Sequence, residues 1–449
     1  MGRMCIKMEH TYTLTEDRPS KIILKFYFPM LLTSMLQQVY TIADTAIVGK
    51  GLGDNPLAAV GNMSSLTFFV MGFALGLSNG FAVMISQYYG ADDTARLRRS
   101  IAASTTLSGI IIVIFTTLSI TLLKPMLIVM KTSDIIIKDS LLYGYIIFGG
   151  FFATVAYNLC SCILRSLGDS RTPFIAIIFS TIFNIVFNCV FIFGLKSGVE
   201  GPAIVTVISQ LISAAICYVK LKKIELIRLC RDDFKGNGKM YLKLLKNGIP
   251  MAAMNSVTAV GCMIVQSFVN KMGVAYTAAY SACSKYINLF MQPACTSGNT
   301  ISTFAGQNYG AKKYDRIRQG VRVCFSIAAI SYILLGSLMI VFPGWLASLM
   351  LNGDFQIELA KGFLIRCGIA IFAVDFLFVF RSACQGMERP LIPMLSGVFE
   401  MVLRISVIVI FTKSVGFNAT AYAEVAAWSG ALIVNLIAYF YYINKLEKQ

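Results

Sequence analysis

Apolar runs of about twenty residues recur along the chain, each closed by a short polar joint, and a run of that length crosses the hydrocarbon core of a bilayer as one helix. Twelve are readable, near 22–48, 57–87, 101–123, 140–164, 173–194, 201–220, 248–270, 275–304, 321–342, 357–385, 390–411 and 418–442. The pattern predicts an all-α integral membrane protein of about twelve transmembrane helices. It also repeats, with a period of about 220 residues. KFYFPM at Lys25–Met30 returns as KNGIPM at Lys246–Met251, and QYYGA at 87–91 returns as QNYGA at 307–311. RSLGDSRTP at Arg165–Pro173 has its echo in RSACQGMERP at Arg381–Pro390. Each repeat holds six spans, so both have the same orientation, related by a pseudo-two-fold axis along the membrane normal. The chain then divides into an N-terminal segment 1–21, a six-helix bundle 22–223, a basic linker 224–245, a second bundle 246–443 and a tail 444–449.

Composition strengthens this reading. Hydrophobic residues make up 57% of the 449 positions and charged ones 14%, with a mean hydropathy of +0.71, too apolar for a water-soluble domain. The net charge of +17 would suit nucleic acid in a soluble protein. Here about 28 of the 39 Lys and Arg fall in alternate loops, densest at Lys220–Lys246 and Lys312–Arg322, which places both termini in the cytoplasm by the positive-inside rule. The expected setting is the plasma (inner) membrane, with basic loops against anionic lipid heads and no nucleic-acid partner. The twelve Cys are scattered through apolar spans, and the only His, His10, precedes the first span; neither disulfides nor a metal cluster are expected. Residues 1–21 lack the apolar core of a cleavable signal peptide.

No phosphate-binding loop is present: the glycines of GKGLGDN at 49–55 lack a lysine-serine pair. Neither H-E-x-x-H nor G-x-S-x-G occurs, so an enzyme is not expected, and no cofactor beyond a coupling ion. A two-bundle protein without ATP draws its energy from an ion gradient. A monomer moving a small organic substrate is the expectation.

Charges within spans are costly and each needs a reason. In the first half, Asp44 lies fifteen residues past Pro29 and Asn188 fifteen past Pro173. If both prolines open their spans, the two residues sit at one depth, about 22 Å up. Asn184 is one turn below Asn188, and Thr206 descends to the same level from the next span. One carboxylate with amides and a hydroxyl can load a proton or ligate sodium, since a carboxylate away from water favours its protonated form; the plainer reading is polar glue between helices. In the second half, Asp375 and Glu400 are expected at a common depth of about 15 Å. Arg404 lies at i, i+4 from Glu400, and Lys285 is in mid-span. They form either a salt-bridge network or a proton or substrate relay.

The ordered set of Pro29, Asp44, GKGLGDNPLAAVG at 49–61, QYYGA and GQNYGA, LRSLGDSRTP, NIVFN and GVEGPAIVT at 198–206 resembles the multidrug and toxic compound extrusion (MATE) family along nearly the whole chain. The resemblance implies two six-helix bundles, a central cavity with alternating access, and efflux of organic cations, amphipathic drugs or toxic metabolites in exchange for H+ or Na+. By position, Asp44 resembles the family's first-span cation-binding aspartate, and Asn184, Thr206 and Asn158 its companions. Asn188 stands where many members have Asp, and MAAMNSVTAVG after Pro250 lacks the acid of the branch with a span-seven glutamate. Asp375 resembles that branch's span-ten aspartate without its partner, so proton coupling is favoured over sodium.

Cavity walls are expected from Gln37, Tyr40, Phe68, Met71, Met254, Asn255, Phe290 and Met291, a flexible and aromatic set suited to varied substrates. A flippase of lipid-linked sugars is the alternative, and it would favour a large basic cavity. A passive channel fits the duplicated bundles less well.

Overall fold

The computed structural model describes residues 13–130, 132–236 and 238–448, with backbone alone at 54 and 65. His10, most of the expected N-terminal segment and the last residue of the tail lie outside them. Among the described residues the chain is helical, without strands. The first half holds α1 (Pro19–Leu52), α2 (Asp54–Gly90), α3 (Thr94–Val129), α4 (Ile137–Gly149), α5 (Phe151–Ser166), α6 (Arg171–Cys189) and α7 (Glu200–Lys222). The second holds α8 (Gly238–Met272), α9 (Val274–Phe290), α10 (Gln292–Gly310), α11 (Tyr314–Ser331), α12 (Ser337–Val341), α13 (Pro343–Ser348), α14 (Asp354–Gly386), α15 (Leu391–Val415) and α16 (Asn418–Glu447).

Among the described residues ten helices are long and apolar enough to cross a bilayer, and the bent pair α4 and α5, meeting at 42°, makes an eleventh. The expected span at 275–304 is α9 and α10, parted at Met291. Neither is both long and apolar enough on its own, because this stretch is rich in Ser, Thr, Asn and Gln. Pro29 and Pro250 do not open helices: they lie inside α1 and α8, where proline removes one rung of the backbone ladder. Thr33 Oγ1 donates to Pro29 O at 2.7 Å, tying down that stretch of α1. Pro173 does sit in the first turn of α6.

Lipid contact explains the outer faces. α6 exposes Ile175, Phe179, Ile182 and Val186, one stripe at helical spacing, as a helix does when its outer solvent is hydrocarbon. Gly53 (φ +90°) joins α1 to α2 and Gly273 (φ +119°) joins α8 to α9, both in a region that favours glycine. Asp92 and Lys312, also 220 apart, share a positive φ of 59° and 58° in the next turns. The duplication therefore extends to single backbone dihedrals.

The halves meet near the face where α2 and α10 end. Basic residues crowd this face, among them Arg96, Lys312 and Arg316. Gln87 Nε2 donates to Gly386 O at 3.0 Å, and Gln307 Nε2 donates to Ser166 O at 2.7 Å. Both donors and both acceptors are separated by 220 positions, so this is one contact made twice across the pseudo-two-fold. It also sets the register: Ser166 matches Gly386, which pairs Arg165 with Gln385 and not with Arg381, one helical turn from the register suggested by the RS dipeptides.

Candidate cation site and the second-half ion network

Asp44, near the far end of α1, is met by α6. Asn188 Nδ2 donates to Asp44 Oδ1 at 2.6 Å and to Asn184 Oδ1 at 3.0 Å. Asn184 Nδ2 donates to Tyr40 Oη at 3.3 Å, and Tyr40 Oη donates to Thr206 Oγ1 at 3.3 Å. The expected group of Asp44, Asn184, Asn188 and Thr206 is thus assembled, and Tyr40 joins it as a connector. Tyr40 was legible as a partner only through its place one turn before Asp44 on α1. Asn158, half-buried on α5, makes no side-chain hydrogen bond to this group among the described residues.

Asn184 and Asn188 are fully buried. With its amide nitrogen committed twice, Asn188 leaves Oδ1 buried with no hydrogen-bond partner among the described residues. A buried carbonyl oxygen without a donor is costly, and it lies on the same side chain that holds Asp44. Asp44 and Asn188 thus bring oxygen acceptors, the atom type that hard cations prefer, to one place between α1 and α6. No cluster of three His, Cys, Asp or Glu suited to a transition metal occurs among the described residues.

In the second half, Arg404 Nη2 meets Glu400 Oε1 at 3.1 Å and Glu424 Oε2 at 2.9 Å, and Arg381 Nη2 meets Glu400 Oε2 at 2.8 Å. Two acids and two arginines, all buried, balance one another across α14, α15 and α16. The expected pairing of Glu400 with Arg404 is present, but the membership is corrected. Asp375 is buried without an ion-pair partner, its Oδ1 unbonded among the described residues, and Lys285 is exposed. Arg381 and Glu424 complete the network. Sequence distance hid them, since neither falls at helical spacing from Glu400.

The two clusters are equivalent in place. Arg404 lies 220 positions after Asn184, and Thr206 and Glu424 are each the seventh residue of their helices. Gly261 stands eleven residues past Pro250, as Tyr40 does past Pro29. A Cβ at Gly261 would lie 3.3 Å from Arg404 Nη1, so the absent side chain makes room for the guanidinium. Asp44 has Val265 as its counterpart, fifteen residues past Pro250.

The expected cavity residues divide. Gln37 is exposed, as is Phe68, at 65%. Met71 and Met291 are half-buried. Met254 and Phe290 are buried in packing, Met254 against Gly397 of α15, because each lies on the inward face of its helix. Asn255 Nδ2 donates to Gly72 O at 3.1 Å and so bridges the halves.

Two helical halves related by a repeat of about 220 residues, with ten or eleven helices long and apolar enough to cross a bilayer among the described residues, define a polytopic membrane protein. The family model described as MatE matches residues 29–190 and 250–410, one match per half. The chain belongs to this family of multidrug and toxic compound extrusion transporters. It is 30% identical over 370 residues to the probable multidrug resistance protein YoeA of Bacillus subtilis, covering 80% of this chain and 79% of that one. A crystal structure of MATE in complex with MaL6 superposes with a TM-score of 0.92 at 20% identity, over 99% of this chain and 100% of the other. An outward-facing MATE transporter gives 0.91 at 22% identity, over 98% and 99%. At that identity the likeness is one of fold.

Proposed function

We propose that this protein is a secondary active exporter of amphipathic organic compounds, organic cations and drugs included, driven by inward movement of H+, with Na+ as the second candidate ion. The observation that carries the reading is Asp44, held at 2.6 Å by Asn188 beside an acceptor with no donor. The basic face is taken as cytoplasmic, so the contacts of Gln87 and Gln307 close the inner side and the state is outward-facing. Protonation of Asp44 removes its charge and weakens its pull on Asn188. Loaded and empty forms then favour different packings of α1, which Pro29 allows to bend.

Coupling by one exchangeable ion is supported by the second half, where the place of Asn184 is taken by the fixed charge of Arg404. An arginine does not release its proton in proteins, so that half offers nothing to exchange at this site. The test is Asp44→Asn, which keeps shape and hydrogen bonding but removes titration. In vesicles with separate proton and sodium gradients, the variant should insert and lose gradient-driven export together with substrate-induced proton release. Export at the wild-type rate with unchanged pH dependence would move the coupling site elsewhere. A flippase alternative predicts substrate movement without counter-transport in the same vesicles.

A further inference from the structure

A small cleft lies where the halves meet. It straddles the pseudo-two-fold: Asn79 faces its counterpart Asn299, and Arg165 faces Gln385, each pair 220 positions apart, with Ser302 and Thr303 beside them. Every polar group in that set is a donor or a neutral amide, and no carboxylate lines the cleft. Arg165 Nη2 donates to Cys162 Sγ at 3.1 Å, and no ion pair of Arg165 occurs among the described residues. The nearest acid in sequence, Asp169, is engaged by the backbone N–H groups of Arg171 and Thr172 and by the Thr172 hydroxyl. Arg381, one turn away from the equivalent position, shows what an arginine does here when an acid is supplied, since it pairs with Glu400 at 2.8 Å.

A second cation, Lys285, lies on α9, the helix next to α10. α9 and α10 turn outward Ser281, Lys285, Asn288 and Asn299. From 275 to 324 no large hydrophobic side chain is exposed. Lys285 is the twelfth residue of α9, about 16 Å along the helix from its start, too deep to reach either interface easily. A polar face carrying a charge without an ion-pair partner among the described residues, at that depth, borders a water-filled path, not lipid. Phe68 at 65% and Leu75 at 38% exposure give α2, which packs against α10, an exposed apolar stripe.

We infer that this cleft is a binding subsite for the anionic group of an amphiphile, a phosphate or a carboxylate. The Arg165 guanidinium forks onto its oxygens, the amides of Asn79, Asn299 and Gln385 supply further donors, and Lys285 attracts it along the path. A planar guanidinium matches both head groups through paired hydrogen bonds. The apolar stripe of α2 takes the tail. The inference rests on the reading that the space between the halves is the substrate path, and it adds a head-group class to the organic cations proposed above.

Two amphiphiles with the same tail and opposite heads, decyl phosphate and decyltrimethylammonium, test it by calorimetric titration of the purified full chain in neutral detergent. Arg165→Gln should lower the phosphate-to-ammonium affinity ratio at least tenfold, and Lys285→Gln should lower it several-fold. If Arg165→Gln folds poorly, Asn299→Asp sets a carboxylate into the same cleft and should have the same effect. Inorganic phosphate competing with decyl phosphate would mark a free anion as sufficient. Competition only by phosphatidylglycerol, set against phosphatidylcholine in nanodiscs, would mark a lipid head as the source. An affinity ratio unchanged in Arg165→Gln and Asn299→Asp overturns the subsite. Binding needs no gradient, so loss of export with phosphate binding intact would count against the coupling proposal alone.

Discussion

Asn184 and Arg404 hold the same place in the two repeats, and the neutral amide of one is the guanidinium of the other. Asn184 bonds Tyr40 and Asn188; Arg404 bonds Glu400 and Glu424. The duplicated scaffold has thus kept a polar knot in each half, and among the described residues the carboxylate in the first knot, Asp44, has no charged partner while both carboxylates in the second pair with arginines.

Removing one member of the second-half network strands a buried charge. Arg404→Gln leaves Glu400 with Arg381 alone and Glu424 with no partner, and should cost about 3–5 kcal/mol. The double variant Arg404→Gln with Glu424→Gln restores charge balance and should cost clearly less than the sum of the singles. Thermal unfolding in detergent reads the difference. Additive losses would mean that the pair contributes no coupling.

Asp375 should behave in the opposite way. It is buried with no cation beside it among the described residues, so Asp375→Asn removes a costly group without orphaning a partner. Stability should stay level or rise, by up to about 2 kcal/mol. A loss as large as that of Glu400→Gln would place Asp375 inside the ion network after all.

Adding charge at the first-half site tests its ion choice. Asn188→Asp would set a second carboxylate within about 3 Å of the first, and two such groups do not both ionise without a cation between them. Sodium should then support export at a concentration at least tenfold lower than in the wild type, read as sodium-dependent efflux in vesicles. An unchanged sodium response would show that residue 188 does not face the ion.

Much of this was legible in the sequence because membranes impose strict rules. Span lengths, the period of about 220, and the scarcity of buried charge led directly to Asp44, Asn184, Asn188 and Thr206. Depth along a helix was the useful coordinate, and it worked although Pro29 lies inside α1 and does not open it. Contacts across helices were not legible. Arg381 and Glu424 reach Glu400 and Arg404 from α14 and α16, and nothing in spacing along one helix announces that. The polar stretch at 275–304 read as one span because its length was right, while the structure parts it into α9 and α10 at Met291. Met254 and Phe290 looked like cavity residues by type alone, and type does not say which way a side chain faces.

The closing of the basic face makes the final prediction. A Cβ at Gly90 would lie 1.9 Å from Gln307 O, and one at Gly310 would lie 1.9 Å from Gln87 O. Real Cβ atoms do not approach oxygen so closely, and here the obstacle is backbone, which cannot swing aside. The two glycines let the C-terminal ends of α2 and α10 cross in contact, and that contact carries the hydrogen bonds to Ser166 and Gly386. Gly90→Ala and Gly310→Ala should each force the ends apart, favouring the state open at the basic face. Gly109→Ala on α3 is the control, since its Cβ meets nothing within 4 Å and alanine favours helix by up to about 1 kcal/mol. Hydrogen exchange should report the change: amides at 307–313 and 87–93 should exchange at least tenfold faster in the two crossing variants, with no such change in the control. Equal protection in all three would mean that α2 and α10 do not seal the basic face.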